Sequence, residues 1–383
     1  MLPDNENTHF ALLESVKTCI AEHVTPIAVD IDNNDQCPRA IWTTLGKAGL
    51  HGINVPNRFG GSNYGFTLHT QVMALISQAS PALGLSYAAH SQLCIHHITR
   101  YGRPDQQASL LPQLVLGTHI GALAISEPSA GSDALSMDTS ALEEHDHYCV
   151  NGRKIWITNA ADADIFLVYA KLPKKPRGAN LIVLIVPRST PGLSIGKPLD
   201  KLGMRGSSTC ELTLNNVCIP KTAALGDPKN GYNMLLSGLD YERVMLAAGP
   251  VGIMAAALDY THNYIRQRQQ FGQKIGGFQL VQAKMADMYS AYQASMAYLK
   301  QAAQACEAES ITRRDAAAVI LFTAERATTI ALDAIQIFGG NGYMNDYPVA
   351  RLLRDAKLYE IGAGTSELRR IIIGRDIFES AVL

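Results

Sequence analysis

Apolar side chains recur at helical spacing through most of the first 118 residues. Phe10, Leu13, Val16 and Ile20 lie three or four positions apart and share one helix face, and Pro26 ends that stretch. The same spacing predicts further helices beginning at Pro38, near 66–79, near 82–100, and from Pro104 to about Gly117. The first part of the chain is therefore predicted to be helical.

Between about residues 120 and 226 the pattern changes to short runs rich in Val, Ile, Leu and Thr. The pair Asn151-Gly152 separates two such runs, 148–150 and 154–158, and Asn-Gly is typical of a tight hairpin turn. Three further strands are predicted from the same composition at 164–170, 180–186 and 209–214, with a short apolar run at 122–126. The spacing of these runs predicts a small antiparallel sheet or barrel.

After Gly226-Asp227-Pro228 the helical spacing returns. The chain is predicted to be mainly α with a central β domain, divided into residues 1–119, 120–226 and 227–383, the last a four-helix bundle. The bundle helices are predicted at roughly 230–268, 278–307, 312–338 and 348–380. No βαβ alternation and no G-x-G-x-x-G after a strand occur, which argues against a Rossmann nucleotide site.

Composition limits the function classes. Of 383 residues, 47% are hydrophobic and 17% charged, enough apolar surface for a large core. The formal net charge of -1 gives no electrostatic reason to expect nucleic acid or an anionic membrane surface as a partner. No uninterrupted 18-residue apolar run is present, and the first residues lack the pattern of a signal peptide.

The seven cysteines include no C-x-x-C pair, so reduced thiols in a cytoplasmic protein are expected. The adjacent pair His96-His97 is the densest potential metal pair. Successive helical side chains point about 100° apart, which makes this a poor ligand pair, and no metal is expected.

Glu242 is the first candidate for chemistry. It precedes a run, 244–258, without a charged side chain. Desolvation at the mouth of such a helix raises the pKa of a carboxylate and makes it a stronger base at neutral pH. The alternative is an ordinary glutamate near a helix N-terminus, satisfied by the helix dipole and water.

A second candidate is the loop 123–133, which is rich in small hydroxylated residues. Its Ser126 and Ser132 can donate hydrogen bonds to a flat polar ligand. The alternative is an ordinary turn. Trp156 and Thr158 face the same side of a strand, so an indole and a hydroxyl can hold an aromatic heterocycle together. The alternative for Trp156 is a core tryptophan.

Three segments in the last third are further candidates. Arg268 lies at a helix end, with Gln279 beyond it, and can pair with a diphosphate. The alternative is that Arg268 is a solvated residue at the end of its helix. The glycine-rich bend 337–343 can admit a dinucleotide, or be a helix C-cap. The small-residue gap 359–367 can give a substrate access to the bundle core, or be a linker.

In this order, the segments AISEPSAGSD, WIT, LGMRGSSTCEL, RQQFGQKIGGFQ, FGGNGY and TSELRR resemble the acyl-CoA dehydrogenases along nearly the whole chain. Within that family, SGLDYERVMLAAGP and LYEIGAGTSELRR are most similar to the isovaleryl type. Most members carry their base in a C-terminal Tyr-Glu-Gly-Thr, where this chain has Gly362, Ala363, Gly364 and Thr365. The isovaleryl and long-chain types place the base on the earlier helix, at the position of Glu242.

The resemblance implies FAD-dependent α,β-dehydrogenation of a short branched acyl-CoA, with isovaleryl-CoA converted to 3-methylcrotonyl-CoA in leucine catabolism. Glu242 would take the α-proton while the β-hydrogen leaves as hydride to flavin N5. The Ala363 N–H and a ribityl hydroxyl would bind the thioester oxygen, as an oxyanion hole does. Gly362, where other members carry Tyr, would widen the pocket. One departure is Asn233, where isovaleryl enzymes carry Tyr; here the Tyr stands one place earlier, at Tyr232.

The resemblance also implies the other site residues and partners. The flavin contacts would be Leu123, Ser126, Ser132, Trp156, Ile157, Thr158, Arg268, Phe271, Gln279, Gln336, Gly339, Gly340, Thr365, Ser366 and Glu367. The acyl-CoA contacts would be Ser132, Asp240, Tyr241, Arg243, Ala363 and Gly364. Gln336 to Gly340 would reach the FAD of a neighbouring subunit, so a homotetramer is expected, with electron-transferring flavoprotein as the electron acceptor.

Two kinds of alternative stay open. The substrate is another short acyl-CoA (isobutyryl-, 2-methylbutyryl- or butyryl-CoA), or the protein is an oxidase or monooxygenase of the same fold. A catalytically silent relative that binds DNA or a protein partner is the alternative from another class; the near-zero net charge argues against DNA.

Overall fold

The chain is built in the order helices, strands, helices, as the sequence predicts. The computed structural model describes residues 4–380 apart from 177 and 179. The first segment contains seven α-helices: α1 Asp4–His23, α2 Ala28–Asn34, α3 Ala40–Lys47, α4 Phe66–Ala79, α5 Pro81–Ala88, α6 His96–Tyr101 and α7 Pro104–Val115. Between α5 and α6 the chain is a π-helix, Ala89–Ile95, so 81–101 is one continuous helical rod with a widened middle.

The central segment is a curled seven-stranded sheet. Its strands are β1 Gly121–Ala124, β2 Ser140–Glu143, β3 His147–Thr158, β4 Ile165–Lys171, β5 Leu181–Pro187, β6 Leu193–Ile195 and β7 Thr209–Pro220. The order is β1-β4-β2-β3-β7-β6, with β5 also paired to β4. β4 is parallel to β1 and β2 and the other pairs are antiparallel, so the sheet is mixed and not purely antiparallel.

The hairpin predicted at Asn151-Gly152 is wrong. β3 continues through both residues to Thr158 and pairs with β7 along its length, with register shifts after Val150 and after Lys154. A Cβ at Gly152 would lie 2.3 Å from the Thr139 Oγ1 atom. The absence of a side chain at Gly152 therefore allows the segment at Thr139 to pack closely against β3. In this strand the Asn-Gly pair marks a bulge, which the local pattern does not distinguish from a turn.

The last segment contains a small hairpin, β8 Gln269–Gln270 and β9 Gln273–Lys274, and five helices: α8 Gly231–Gln267, α9 Gln279–Glu307, α10 Arg313–Phe338, α11 Pro348–Tyr359 and α12 Ser366–Glu379. The helix predicted over 348–380 is two helices, separated by the small-residue gap 360–365. α8 is the central element, because its apolar side chains share one core with α4 and α5 from the first segment and with α10. The sheet has a separate apolar interior.

By length and composition α8 is apolar enough to cross a membrane. However, 78% of its most apolar 18-residue window is buried inside the protein. A core helix of a soluble protein passes the same test, so this match is weak support for a membrane span.

The segment LGMRG connects all three parts of the chain. The Met204 N–H donates to the Asp355 carboxylate on α11, and the Gly206 N–H donates to Asp35 after α2 at 2.6 Å. Gly206 has φ +92, and a Cβ there would lie 2.1 Å from the Ile31 side chain. This loop therefore fixes the sheet against helices from both ends of the sequence.

Buried histidines lie around the π-helical segment. Burial lowers the pKa of His69 to about 3 and the pKa values of His90 and His97 to about 4. His90 Nε2 lies 2.9 Å from the Leu114 carbonyl, and its Nδ1 accepts from the Gly121 N–H at 3.0 Å. This arrangement requires neutral His90, because a protonated Nδ1 has no lone pair to accept with.

We expect the free energy of unfolding to fall as pH drops below about 6.5. These histidines have folded-state pKa values below the unfolded value, so the stability they contribute is present above pH 6.5 and is lost towards pH 4. At about pH 5, a histidine with a folded pKa near 4, such as His90, lowers the free energy of unfolding by about 2 kcal/mol relative to neutral pH.

Urea unfolding across this pH range measures the loss. His90→Gln removes one titrating group and should reduce proton uptake on unfolding near pH 5 by about one. Equal stability at pH 7.5 and pH 5 would contradict this account.

Candidate active site

Glu242 lies in the first half of α8, and its side chain is only partly exposed. In the part of the chain that the structure describes, its carboxylate makes no hydrogen bond and no ion pair within 4 Å. Burial raises its pKa to about 7, against the opposing charges of Arg243 and Arg369. A carboxylate of this kind is about half deprotonated at neutral pH. No donor of the described chain occupies its oxygens, so they can accept a proton from a substrate, as a general base must.

The turn between α11 and α12 is fixed by two buried arginines. Arg369 is fully buried and donates to the Tyr359 carbonyl at 2.8 Å and to the Gly362 carbonyl at 2.5 Å. Arg243 approaches the Ala363 carbonyl at 3.4 Å through its Nε. Since both arginines also act on the pKa of Glu242, the turn and the carboxylate belong to one electrostatic cluster.

Ala363 has the left-handed φ of +55, which is uncommon for a residue with a Cβ. The carbonyls of Gly362 and Ala363 accept hydrogen bonds from arginines. The Ala363 N–H donates to no acceptor among the described residues. A strained residue that presents a free backbone N–H is a ready donor for an oxygen that gains negative charge.

The start of α12 completes this side of the site. Thr365 caps the helix by accepting from the Leu368 N–H at 3.3 Å. The Ser366 hydroxyl is buried and has no partner in the described chain, whereas Glu367 is exposed. An unpaired hydroxyl at a helix N-terminus suits a polar ligand group.

Asp240 and Tyr241 have different surroundings. Asp240 is paired with Arg243 at 3.0 Å and lies in the cluster with Glu242. Tyr241 is buried, stacks on His96 with ring centroids 5.3 Å apart, and donates to the Cys306 carbonyl at 3.2 Å. The structure therefore does not bring Tyr241 to the other candidate substrate contacts; its contacts support the packing of α8.

On the sheet side, a buried ion pair holds the loop 125–139. The Lys154 ammonium donates to the Glu127 carboxylate at 2.8 Å and to the Ile125 carbonyl at 2.9 Å. Glu127 also accepts from the N–H groups of Thr139, at 2.9 Å, and Asp138. Burial lowers the pKa of Lys154 to about 8, and the ion pair and N–H bonds lower the pKa of Glu127 although burial raises it. Both groups are therefore mostly charged at neutral pH.

Trp156 is not a core residue. Its side chain is 57% exposed and its φ is +59, a strained conformation at the second register shift of β3. A Cβ on Gly131 would lie 3.7 Å from the indole, so the loop 125–139 and the tryptophan form one surface. An exposed, strained indole at a fixed place is a suitable stacking surface for a planar ligand.

The other sheet candidates divide into two groups. Ser126 and Thr158 are partly exposed, Ser132 is exposed, and the Ser126 carbonyl accepts from the Ile155 N–H at 2.9 Å, which joins the loop to β3. Leu123 is partly buried against the helices, and Ile157 is 2% exposed inside the sheet. Ile157 can therefore contact a ligand only through its backbone.

A cavity of about 410 Å³ lies beside this loop, lined by Asp133, Leu135, Ser136, Lys171, Asn180, Leu181 and Tyr232. Tyr232 thus lies in a cavity, whereas Asn233 is exposed and donates to Asn230 at 3.0 Å. The departure at these two positions keeps a tyrosine on the cavity side of α8.

A second cavity, of about 270 Å³, lies at the far end of the bundle. Its lining is Tyr264, Arg268, Gln270, Ile275, Ile337, Phe338, Gly339, Gly340 and Asn341. The structure therefore brings Arg268 together with Gly339 and Gly340, but not with Glu242 or Trp156. Phe271, Gln279 and Gln336 are exposed near this cavity and outside its lining.

Sequence reasoning missed three elements of the site. Lys154 and Glu127 stand inside motifs that were noticed for other residues, and Arg369 stands in the TSELRR segment. In the sequence, these three residues stand out only as charged side chains within apolar or small-residue segments. Their pairing across the fold was not readable, since the partners are distant or, as for Arg369, backbone carbonyls.

We expect Lys154→Met to destabilise the protein strongly, because it leaves the Glu127 carboxylate buried and uncompensated, at a cost of roughly 3–5 kcal/mol. The matched control is Arg153→Met, which removes an exposed ion pair to Glu211 and should cost less than about 1 kcal/mol. Urea unfolding compares the two variants, and limited proteolysis reports the order of the loop 125–139. Equal, small losses in both would contradict the role given to the buried pair.

The chain matches the domains of one protein family over most of its length. Sequence models of the acyl-CoA dehydrogenase N-terminal, middle and C-terminal domains match residues 6–118, 122–217 and 229–378. The chain is 50% identical to a mitochondrial isovaleryl-CoA dehydrogenase of Pongo abelii, over 95% of this chain and 87% of that protein. It is 47% identical to a mitochondrial 2-methylacyl-CoA dehydrogenase of Solanum tuberosum, over 98% and 91%.

Among solved structures, butyryl-CoA dehydrogenase from Megasphaera elsdenii superimposes with a TM-score of 0.94 at 30% identity, covering 99% of both chains. The sequence models together cover most of the chain, and two relatives near half identity extend over nearly all of it. The chain belongs to the acyl-CoA dehydrogenase family and is an oxidoreductase of acyl-CoA thioesters.

Proposed function

We propose that this protein oxidises a short branched acyl-CoA between Cα and Cβ, with isovaleryl-CoA as the substrate and Glu242 as the base. The observation that carries the proposal is a desolvated carboxylate, with a pKa of about 7, in one cluster with the free N–H of Ala363. The α-C–H of a thioester is a weak acid, so its removal needs both a base and stabilisation of the enolate oxygen.

FAD is the cofactor that the family implies, and three features of this chain fit it. Trp156 offers an exposed stacking face beside Ser126 and Thr158, Ser366 has an unpaired hydroxyl, and Arg268 lies in a glycine-bounded cavity that suits a diphosphate. When bound, the flavin would accept the β-hydrogen as a hydride.

The residues of this chain would act as follows. Glu242 takes the α-proton on its carboxylate, while Arg243 and Arg369 keep that carboxylate ionised against desolvation. The Ala363 N–H donates to the thioester oxygen, held in its strained conformation by the arginines bonded to the turn. The cavity beside Ser132, lined by Lys171 and Asn180, would take the polar part of the thioester.

The branched acyl chain is supported by Gly362 and by the relatives. Gly362 precedes Ala363, whose N–H is free, and it carries no side chain. The space left there would accommodate a branch next to Cα and Cβ of the acyl group. The match to a 2-methylacyl-CoA dehydrogenase makes a 2-methyl-branched acyl-CoA the second candidate substrate. The isovaleryl assignment places the reaction in leucine catabolism.

We expect Glu242→Gln to lower turnover by about 10²–10⁴-fold, because the amide keeps the shape but cannot take a proton. Flavin absorbance and thermal stability should be retained. Asp259→Asn, on the same helix but bonded to Gln78, is the control that should keep full activity. Normal turnover of the Gln variant would exclude Glu242 as the base.

We expect kcat/KM to rise with pH through an apparent pKa of about 7 and then reach a plateau. The base works only when deprotonated, and burial raises its pKa to this value. Initial rates with a saturating electron acceptor between pH 5.5 and 8.5 measure the profile. A pH-independent rate down to pH 5.5 would contradict a desolvated base.

A homotetramer is proposed from the exposed apolar surface of the last segment. Phe271 is 93% exposed at the tip of the β8–β9 hairpin, and Tyr343 is 88% exposed beside the Arg268 cavity. Burial of both aromatic side chains against a neighbouring subunit would remove this apolar surface from water. Since the Arg268 cavity is apart from Glu242 and Trp156 in one chain, it would serve the flavin of a neighbouring subunit.

We expect Phe271→Asp to reduce both the assembly size in sedimentation velocity and the bound flavin. Leu116→Asp, at a 51% exposed position after α7, is the control and should change neither. A Phe271 variant that dissociates and retains full flavin would show that the neighbouring subunit does not complete the site.

Electron-transferring flavoprotein is the proposed electron acceptor, and rapid oxygen consumption without it would favour an oxidase instead. The cytoplasmic location stays a prediction of the sequence. The relatives from Pongo abelii and Solanum tuberosum carry mitochondrial names.

A further inference from the structure

Two cysteines face each other on neighbouring strands of the sheet. Cys149 of β3 and Cys218 of β7 are directly opposed in the antiparallel register. Their strand neighbours Tyr148, Val217 and Ile219 are buried, whereas Cys218 is exposed and Cys149 half-buried. Side chains alternate along a strand, so both thiols lie on the outer face of the sheet.

The backbone geometry suits a disulfide. Directly opposed residues of antiparallel strands have Cα atoms about 4.5–5.5 Å apart, within the roughly 4.4–6.8 Å that disulfides span. Both sulfurs also contact the same residue: Cys149 Sγ lies 3.9 Å from the Asn216 Oδ1, and Cys218 Sγ lies 3.6 Å from the Asn216 carbonyl oxygen. Both thiols therefore lie beside Asn216, where β3 and β7 are in register.

No other cysteine in the described residues has such a partner. Cys210, also on β7, is opposed by Ile157 and is buried. The other four cysteines lie on helices or loops, and all seven are free thiols. The opposed pair is therefore distinct within the chain and is accessible to solvent at Cys218.

We propose that Cys149 and Cys218 form a dithiol–disulfide couple that a low-molecular-weight disulfide, such as oxidised glutathione, converts to an intramolecular cross-strand bond. This inference is independent of the proposed substrate and base.

The reaction balances as two thiol–disulfide exchanges. The Cys218 thiolate attacks one sulfur of oxidised glutathione, whose S–S bond breaks; one glutathione leaves as a thiolate and takes up a proton. The Cys149 thiolate then attacks the Cys218 sulfur of the mixed disulfide, and the second glutathione leaves in the same way. Two protein thiols are oxidised by two electrons, and one oxidised glutathione is reduced to two thiols.

The bond would link β3 to β7 and close the chain from 149 to 218, which contains β4, β5 and β6. Cross-linking a long loop restricts the unfolded chain, so the oxidised protein should melt at a higher temperature than the reduced one. β3 carries Trp156 near its other end, and the bond preserves the register that places it. Oxidation would therefore stabilise the sheet without displacing the site.

The test is to incubate the purified flavin-bound enzyme with oxidised glutathione, block remaining thiols, and map non-reduced peptides by mass spectrometry. The expected product is one peptide pair joined through 149 and 218, lighter by the mass of two hydrogen atoms and separated by dithiothreitol. Cys149→Ser should instead accumulate a stable glutathione adduct at Cys218. Cys37→Ser, which removes a half-buried thiol elsewhere, is the control and should leave the cross-link intact.

Three outcomes would overturn the proposal. These are a glutathione adduct that persists at Cys218 in the unsubstituted protein, a cross-link that joins two different chains, and failure of both thiols to react while another cysteine does. A cross-linked protein that melts no higher than the reduced one would refute the stabilising role of the bond.

Discussion

The proposed active site depends on keeping one carboxylate desolvated beside two buried arginines. Glu242 lies in the first half of α8, just before its apolar stretch 244–258, and burial raises its pKa to about 7. Arg243 and Arg369 oppose that shift, so about half of the carboxyl groups are deprotonated at neutral pH. A stronger opposing field would make a weak base, and a weaker field would leave a neutral acid. This balance leaves the carboxylate with a pKa near neutral, which suits the role of base that we propose for it.

The same arginines also bond to the turn that holds Ala363, which links the carboxylate proposed as the base to the N–H proposed as the oxyanion donor. Arg369 binds the carbonyls of Tyr359 and Gly362, and Arg243 approaches that of Ala363. The turn is thereby held with Ala363 in a left-handed conformation and its N–H free. On the sheet side, the buried pair of Lys154 and Glu127 orders the loop beside Trp156 by the same physical means, a buried charge satisfied by its complement and by backbone groups.

Much of this arrangement was readable from the chain, and the unread parts share one cause. The helix–strand–helix order followed from periodicity. A charge before an apolar run made Glu242 a candidate, and the position of the base in the isovaleryl type selected it; its role stays a prediction. The hairpin predicted at Asn151-Gly152 was wrong, because the register shift of β3 lies at the same residues that a turn would use. Lys154, Glu127 and Arg369 went unnoticed because their partners are set by tertiary packing. The exposed, strained Trp156 likewise depends on a register shift that no local pattern encodes.

The most direct test of the central claim is an anaerobic visible spectrum of the purified protein, recorded before and after isovaleryl-CoA and a panel of other short acyl-CoAs. The account predicts a yellow protein whose flavin band bleaches promptly with isovaleryl-CoA and more slowly with straight-chain thioesters. A colourless protein, or a yellow one that no acyl-CoA bleaches, would contradict it.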